Sequence, residues 1–158
     1  MPEMIRQGDI PGVQLRRRQD LAVTVEEAWR WLVEPAKLAL WLAREAEVVE
    51  GPGGSLLLTG GLTGDGGERE RGRTVDVAPP GLWVMAFERL DAGWPAATRL
   101  TVRLHRSPGV PDGSQIDVLQ DGFQRLPLSA GLTIWEAYRL RWKNALQQLA
   151  LRTAPTAP

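Results

Sequence analysis

The chain contains seven tryptophans but only two phenylalanines and one tyrosine, and some of these residues are spaced to surround a small molecule. Trp83, Met85 and Phe87 alternate along one predicted strand, so their side chains fall on the same face of a sheet. A tryptophan offers a large rigid surface and one N–H donor, which suits an apolar or aromatic ligand. Burial in a hydrophobic core would favour the same residues, so the pattern leaves both explanations open.

A second aromatic set lies near the C-terminus. Trp135, Tyr138 and Trp142 recur at helical spacing, which places them on one side of a predicted helix. We expect this helix to face the strand that carries Trp83. The two sets are then the predicted lining of a pocket between sheet and helix, and Gln120 is the predicted polar group at its end.

The residues available for acid–base or metal chemistry are few. Four acidic candidates lie on or beside predicted strands: Asp76, Glu88, Asp117 and Asp121. Strand alternation directs Glu88 and Asp117 away from the predicted pocket, so no paired carboxylate site is expected. His105 is the only histidine and falls on the outward face of its strand, and the chain has no cysteine. The sequence therefore predicts no catalytic residue, no metal site and no cofactor.

Composition limits the partners. Nineteen basic residues balance nineteen acidic ones, so no global field would attract nucleic acid. No stretch approaches the roughly 20 apolar residues of a membrane span, and the start of the chain lacks the apolar core of a signal peptide. We expect a cytoplasmic protein. The run Arg16-Arg17-Arg18 alternates across a predicted strand and is interpreted as a solvated edge.

The first elements are a strand and two short helices. Alternating apolar residues predict the strand from Val13 to Val23. Thr24 begins a capping box that opens the first helix, and Pro35 ends it and starts the second. Trp29 and Trp31 lie on the first helix, and we interpret them as core residues.

The middle of the chain changes to a period of two residues. It predicts the strands Ala46–Val49, Leu56–Thr59, Arg73–Val77, Leu82–Arg89, Thr98–Arg106 and Ser114–Gln120. Short glycine- and proline-rich connections make them antiparallel. The loop from Gly60 to Gly72 is expected to be mobile. A second capping box at Thr133 is expected to start the C-terminal helix, with Arg141 outside its buried stripe. The fold class is α+β.

Several short motifs occur together in an order typical of one superfamily. They are Trp29 after a capped turn, Trp41-Leu42, Gly53-Gly54 before a strand, Gly72-Arg73-Thr74-Val75 with Pro79-Pro80, the run from Ala97 to Val102, Asp121-Gly122-Phe123, and Trp142 with Leu146 and Leu149. This pattern resembles the START-like, or SRPBCC, superfamily, and specifically homologues of the C-terminal domain of the heat-shock-protein ATPase activator. The resemblance covers about Val13 to Arg152.

The resemblance implies the helix-grip fold of the birch-pollen allergens: a curved antiparallel sheet around a long C-terminal helix, with two short helices after the first strand. Residues 13–152 would form one such domain, residues 1–12 a flexible N-terminus and residues 153–158 a disordered tail. Many members carry a histidine shortly before the glycine that follows the last strand. Here that stretch is Gln120-Asp121-Gly122, so no role of that histidine is transferred.

Three functions are compatible with this resemblance. The first is the binding of a hydrophobic, lipid-like or aromatic molecule in the cavity between sheet and helix. The second is an enzyme of the polyketide cyclase or dehydratase kind, for which only Tyr138 and Gln120 are placed in the cavity by the sequence. The third is a chaperone-associated protein-interaction module. A homodimer is left open, and the sequence does not decide whether the protein is an enzyme.

Overall fold

A computed structural model describes residues 8–62 and 66–155. In chain order its elements are β1 (Gln14–Leu21), α1 (Val25–Val33), α2 (Pro35–Leu38), β2 (Glu45–Val49), β3 (Ser55–Thr59), β4 (Arg69–Ala78), β5 (Leu82–Arg89), β6 (Thr98–Arg106), β7 (Ser114–Asp121), a 3-10 turn (Phe123–Arg125) and α3 (Leu128–Thr153). The predicted flexible N-terminus and disordered tail lie partly outside the described residues. Within them, no helix is long and apolar enough to cross a membrane.

All seven strands form one antiparallel sheet in the order β1-β7-β6-β5-β4-β3-β2. Strands β2 to β7 follow one another as a meander, and β1 joins at the far edge by pairing with β7. A bulge in β4 between Thr74 and Asp76 leaves Val75 unpaired and exposed. The α+β class, the antiparallel sheet and the long C-terminal helix are as predicted.

The fourth strand begins four residues earlier than the sequence suggested. Arg69 to Gly72 pair with β3, whereas the prediction placed them in a mobile loop. The prediction was wrong here because charged residues occupy both faces of this stretch. Arg69 and Arg71 point outward, while Glu70 is completely buried, so the alternation of polar and apolar residues that marks a strand is absent.

The C-terminal helix also begins earlier than predicted. Its first residue is Leu128, and the Pro127 carbonyl accepts from the N–H groups of Ala130 and Gly131 at 2.9 and 2.8 Å. The expected capping box at Thr133 is therefore wrong, because Thr133 lies inside the helix, with an exposed side chain. At the first predicted capping box, the hydrogen bond to the threonine is present: the Thr24 hydroxyl accepts from the Glu27 N–H at 3.2 Å.

The hydrophobic core lies between the inner face of the sheet, α3 and the two short helices. The buried face of α3 contributes five residues to this core, each at most 2% exposed: Trp135, Tyr138, Trp142, Leu146 and Leu149. The Trp135 indole N–H donates to the Gln14 carbonyl at 2.8 Å and fixes α3 to β1. The short helices α1 and α2 complete this core with Trp29, Trp31 and Leu38, so both helical tryptophans interpreted as core residues are buried.

Candidate functional site

The predicted pocket residues come together in the interior. Trp83, Met85 and Phe87 project from β5, and Trp135, Tyr138 and Trp142 project from α3. All six are at most 3% exposed, and Gln120 on β7 is fully buried among them. Phe87 and Tyr138 form an edge-to-face pair with ring centroids 6.2 Å apart. Whether these residues bind a ligand remains a prediction.

Among the described residues, the part of the interior around Trp83, Met85 and Trp142 is nearly filled by side chains. The space there, between the sheet and the three helices, has a volume of about 10 Å³. Such a volume holds on the order of one water molecule, not an aromatic ring. Met85 fills part of the interior because Gly72, on the neighbouring strand, has no side chain: a Cβ at Gly72 would lie 2.4 Å from the Met85 sulfur. A larger open groove of about 390 Å³ on the outer face is lined by charged residues such as Arg99 and Arg103.

One polar network crosses this interior at Gln120. The Trp142 indole N–H donates to Gln120 Oε1 at 2.9 Å, and Gln120 Nε2 donates to the Thr98 hydroxyl at 3.0 Å. Thr98 in turn donates to the Phe87 carbonyl at 2.8 Å. The chain of hydrogen bonds holds β7, β6, β5 and α3 in one arrangement, and it fixes which way the Gln120 amide points.

A second buried network joins Glu70, Tyr138 and Arg141, and the sequence interpretation missed two of its three members. Arg141 donates to both carboxylate oxygens of Glu70 at 2.8 Å each. The Tyr138 hydroxyl donates to Glu70 Oε2 at 2.7 Å. The side chains of Glu70 and Arg141 are each 1% exposed, so the pair is removed from water. The placement of Arg141 outside the buried stripe is therefore wrong.

Each missed residue had a weak sequence signal. Arg141 lies three residues after Tyr138 and four before Ala145, which are both on the buried stripe, so it borders that stripe. Glu70 lies two residues before Gly72, so the two residues are on the same face of the strand, and Gly72 is on the face that packs against the core. Both were passed over because charged residues are rarely fully buried unless paired, and the pairing is a long-range contact.

The environment of Tyr138 determines what its hydroxyl can do. Burial raises the pKa of Tyr138 well above its ordinary value, and the adjacent Glu70 carboxylate raises it further, against the opposing effect of Arg141. Tyr138 therefore keeps its proton and acts as a hydrogen-bond donor, not as a base. Glu70 accepts three hydrogen bonds, two from Arg141 and one from the Tyr138 hydroxyl.

Trp94 covers this network from the connection between β5 and β6. Its ring lies 5.8 Å from the Tyr138 ring, at 64° to it. Its indole nitrogen is buried but has no hydrogen-bond partner among the described residues. Gly93, immediately before it, has a φ of 63°, a left-handed conformation that glycine adopts without steric cost and that turns the chain toward the core.

The outer face of the sheet carries the arginine run. Arg16 and Arg18 both donate to Asp117, at 2.6 and 3.2 Å, while Arg17 points to the other face and pairs with Asp9 at 2.8 Å. The predicted alternation is correct. The solvated edge holds in part, because Arg18 is exposed and Arg16 half-buried, whereas Arg17 is buried; all three are paired with aspartates. Burial raises the pKa of Asp117, but the hydrogen bonds from the two arginines outweigh that effect and leave it lowered.

The remaining candidates for chemistry do not converge on the interior. His105 is exposed, as expected from its strand face, and Asp76 is exposed at the bulge of β4. Glu88 is half-buried and pairs with Arg71 at 3.0 Å. In the part of the chain that the structure describes, no three histidine, aspartate or glutamate side chains are grouped so as to hold a metal ion.

No protein-family model matches the chain, and no curated protein matches it. Solved structures do. Protein Ms6760 from Mycobacterium smegmatis is 14% identical, with a TM-score of 0.73 over 93% of this chain and 94% of that one. An HSP90 activator from Plasmodium falciparum is 17% identical, with a TM-score of 0.68 over 89% of this chain and 95% of that one. The Aha1 dimer from Colwellia psychrerythraea is 11% identical, with a TM-score of 0.68 over 89% and 96%.

These likenesses confirm the helix-grip fold that the resemblance implied, and the similar structures include an HSP90 activator and an Aha1 dimer. At such identities they establish the fold and not an activity.

Proposed function

We propose that this domain binds a small, mainly apolar or aromatic molecule between the sheet and α3. The observation that carries the proposal is the enclosure of two polar networks, at Gln120 and at Glu70, within an otherwise aromatic interior. A buried ion pair is often no more stabilising than well-packed apolar side chains of the same volume, so stability alone does not call for it. Ligand pockets combine apolar walls with a few polar groups in this way.

A ligand would gain space by displacing side chains. Met85 is suited to this because it is unbranched and flexible, and it occupies the gap opposite Gly72. Trp94 is suited because it lies on a connection between strands, where a ring can move without breaking the ladder of hydrogen bonds in the sheet. The cytoplasmic location expected from the sequence is part of the proposal.

The direct test is native mass spectrometry of the protein purified from its own source, with identification of any molecule released on denaturation. A stoichiometric apolar or aromatic molecule is expected. The second test is titration with N-phenyl-1-naphthylamine, a neutral apolar dye whose fluorescence rises when it leaves water. Saturable binding with one dye per chain is expected.

A matched pair of variants locates the dye. Leu100→Ala enlarges the interior, where Leu100 is 1% exposed, and Leu140→Ala makes the same change on the outer side of α3, where Leu140 is 53% exposed. The dye affinity should change at least threefold in the first variant and stay constant in the second. No bound molecule and no saturable dye binding, or equal effects of both variants, would refute an interior site.

An enzyme of the cyclase or dehydratase kind is favoured by one observation, the Tyr138 hydroxyl held against Glu70. A tyrosine hydroxyl has one proton, so Tyr138 would have to leave Glu70 before it could donate to a carbonyl oxygen and stabilise negative charge that develops there. Both carboxylate oxygens of Glu70 already accept from Arg141, so neither is free to contact a ligand in this arrangement. This candidate requires turnover of the identified molecule and its loss in Tyr138→Phe.

A protein-interaction module is the third candidate. The similar fold of the HSP90 activator and of the Aha1 dimer supports it, as do the exposed residues Leu132, Leu140 and Leu151 on α3. Stimulation of the ATPase activity of an HSP90 chaperone would support the chaperone role, and light scattering would give the oligomeric state. No stimulation, together with a monomeric mass, would exclude both.

A further inference from the structure

Trp94 differs from the other tryptophans whose hydrogen bonds are defined. The indole N–H groups of four of them donate to a protein oxygen: Trp41 to Trp31, Trp83 to Thr74, Trp135 to Gln14 and Trp142 to Gln120. Trp94 is half-buried; its indole nitrogen is buried but has no partner among residues 8–62 and 66–155. An indole N–H can only donate, so the atom that completes this site must be an acceptor.

A second unused donor belongs to the same neighbourhood. Arg141 directs its two terminal nitrogens at Glu70, and its Nε is buried without a partner in the described chain. Both side chains border the Tyr138 ring: the Trp94 ring centroid lies 5.8 Å from it and the Arg141 guanidinium carbon 5.9 Å. Two buried donors without a partner in the described chain therefore belong to side chains that border Tyr138.

Two ion pairs already lie near this end. Arg141 pairs with Glu70, and the half-buried Arg89, close enough to affect the pKa of Tyr138, pairs with Asp91 at 2.5 Å. A charged ligand group would bring an uncompensated charge into a buried place, which is strongly unfavourable. A neutral acceptor meets the need for hydrogen bonds without that cost.

We infer that the Trp94 indole N–H, beside Tyr138 and Arg141, is the subsite for an uncharged carbonyl oxygen on the aromatic or apolar ligand. This inference rests on the proposed function and adds the chemical class of ligand to it. Trp94 is then a specificity-determining residue as well as the cover of the site. Its ring provides apolar contact, and its N–H distinguishes a ketone or amide from a hydrocarbon of the same shape.

The test compares 9-fluorenone with fluorene, which differ only by a carbonyl in place of a methylene group, by equilibrium dialysis. The readout is the ratio of the two affinities, because the contribution of the aromatic rings, which both compounds share, cancels in this ratio. In Trp94→Phe, which keeps an aromatic ring but removes the donor, the preference for fluorenone should fall about five- to tenfold relative to the wild type. Leu90→Ala, on the same connection but outside the core, should leave the ratio unchanged.

The outcomes separate the two proposals. If both compounds bind and Trp94→Phe leaves the ratio unaltered, the carbonyl subsite is refuted while the interior binding site stands. If the ratio falls equally in Trp94→Phe and Leu90→Ala, the effect comes from the connection as a whole, and the role of the N–H is refuted. If neither compound binds the wild type and the dye also fails to bind, the proposed function fails, and this inference fails with it.

Discussion

Glu70 on β4 and Arg141 on α3 form a bidentate ion pair, 2.8 Å at each of its two contacts, between residues 71 positions apart in the chain. Both side chains are 1% exposed, so each charge depends on the other to compensate for lost hydration. The Tyr138 hydroxyl adds a third contact. The pair therefore ties the helix to the sheet and sets the polarity of one end of the interior.

Glu70→Gln should destabilise the domain strongly, because it leaves the Arg141 charge buried without a counterion. The expected loss in the free energy of unfolding is about 3–5 kcal/mol. Urea denaturation followed by tryptophan fluorescence measures it. The double variant Glu70→Leu with Arg141→Met should be much closer to the wild type, because it removes both charges. Equal losses in the single and double variants would contradict a role for pairing.

Tyr138 should resist ionisation until the domain unfolds. It is the only tyrosine, so phenolate absorbance near 295 nm reports on it alone. An unfolded tyrosine ionises with a pKa of about 10, whereas the pKa of Tyr138 in the fold is raised by burial and by Glu70.

The sign of the pH effect follows from that raised pKa. As the pH rises, Tyr138 loses its proton at a higher pH in the folded protein than in the unfolded chain. Its contribution to stability is therefore complete below about pH 10 and is lost as the pH rises through the folded pKa. Tyr138→Phe should reduce the fall in stability above that pH. An absorbance titration of the folded protein with a midpoint at the unfolded value would disprove the predicted burial effect.

Gly72→Ala should destabilise the domain through Met85. The new Cβ would lie 2.4 Å from the methionine sulfur, and the space beside Met85 has a volume of only about 10 Å³. We expect a loss of about 1–3 kcal/mol, as for other overpacked cores. Thermal or urea unfolding measures it, and Gly109→Ala is the matched control, because a Cβ there meets nothing within 4 Å.

Met85→Ala alone should cost about 2–5 kcal/mol because it leaves a cavity. Combined with Met85→Ala, the Gly72→Ala change should cost little or restore some stability, because its methyl group then fills empty space. Strict additivity of the two changes would show that Gly72 and Met85 do not compete for one volume.

Asp117 should contribute to stability at neutral pH and lose that contribution in acid. Although burial alone raises its pKa, Arg16 and Arg18 lower it overall. A lowered pKa means that the contribution is present above the unfolded value of about 3.9 and is lost as the pH falls through the folded pKa. Asp117→Asn should flatten the decline of stability below pH 4, measured by urea unfolding at a series of pH values. An unchanged pH profile would exclude Asp117 as its source.

The periodic patterns of the sequence determined most of the fold. Alternating residues located Leu82–Arg89 and Thr98–Arg106 with the bounds that the structure gives, because a strand with one buried face imposes a period of two. The stripe of Trp135, Tyr138 and Trp142 located the buried side of α3 for the same kind of reason, at a helical period. These are local constraints, and local sequence carries them.

What the interior contains was decided by tertiary structure alone. Glu70 and Arg141 are unremarkable as isolated charged residues, and only the approach of β4 to α3 makes them a buried pair. Whether the aromatic residues line an open pocket or fill it depends on how Met85 meets Gly72 across two strands. Packing volume and charge compensation are sums over residues distant in sequence, and no local period encodes them.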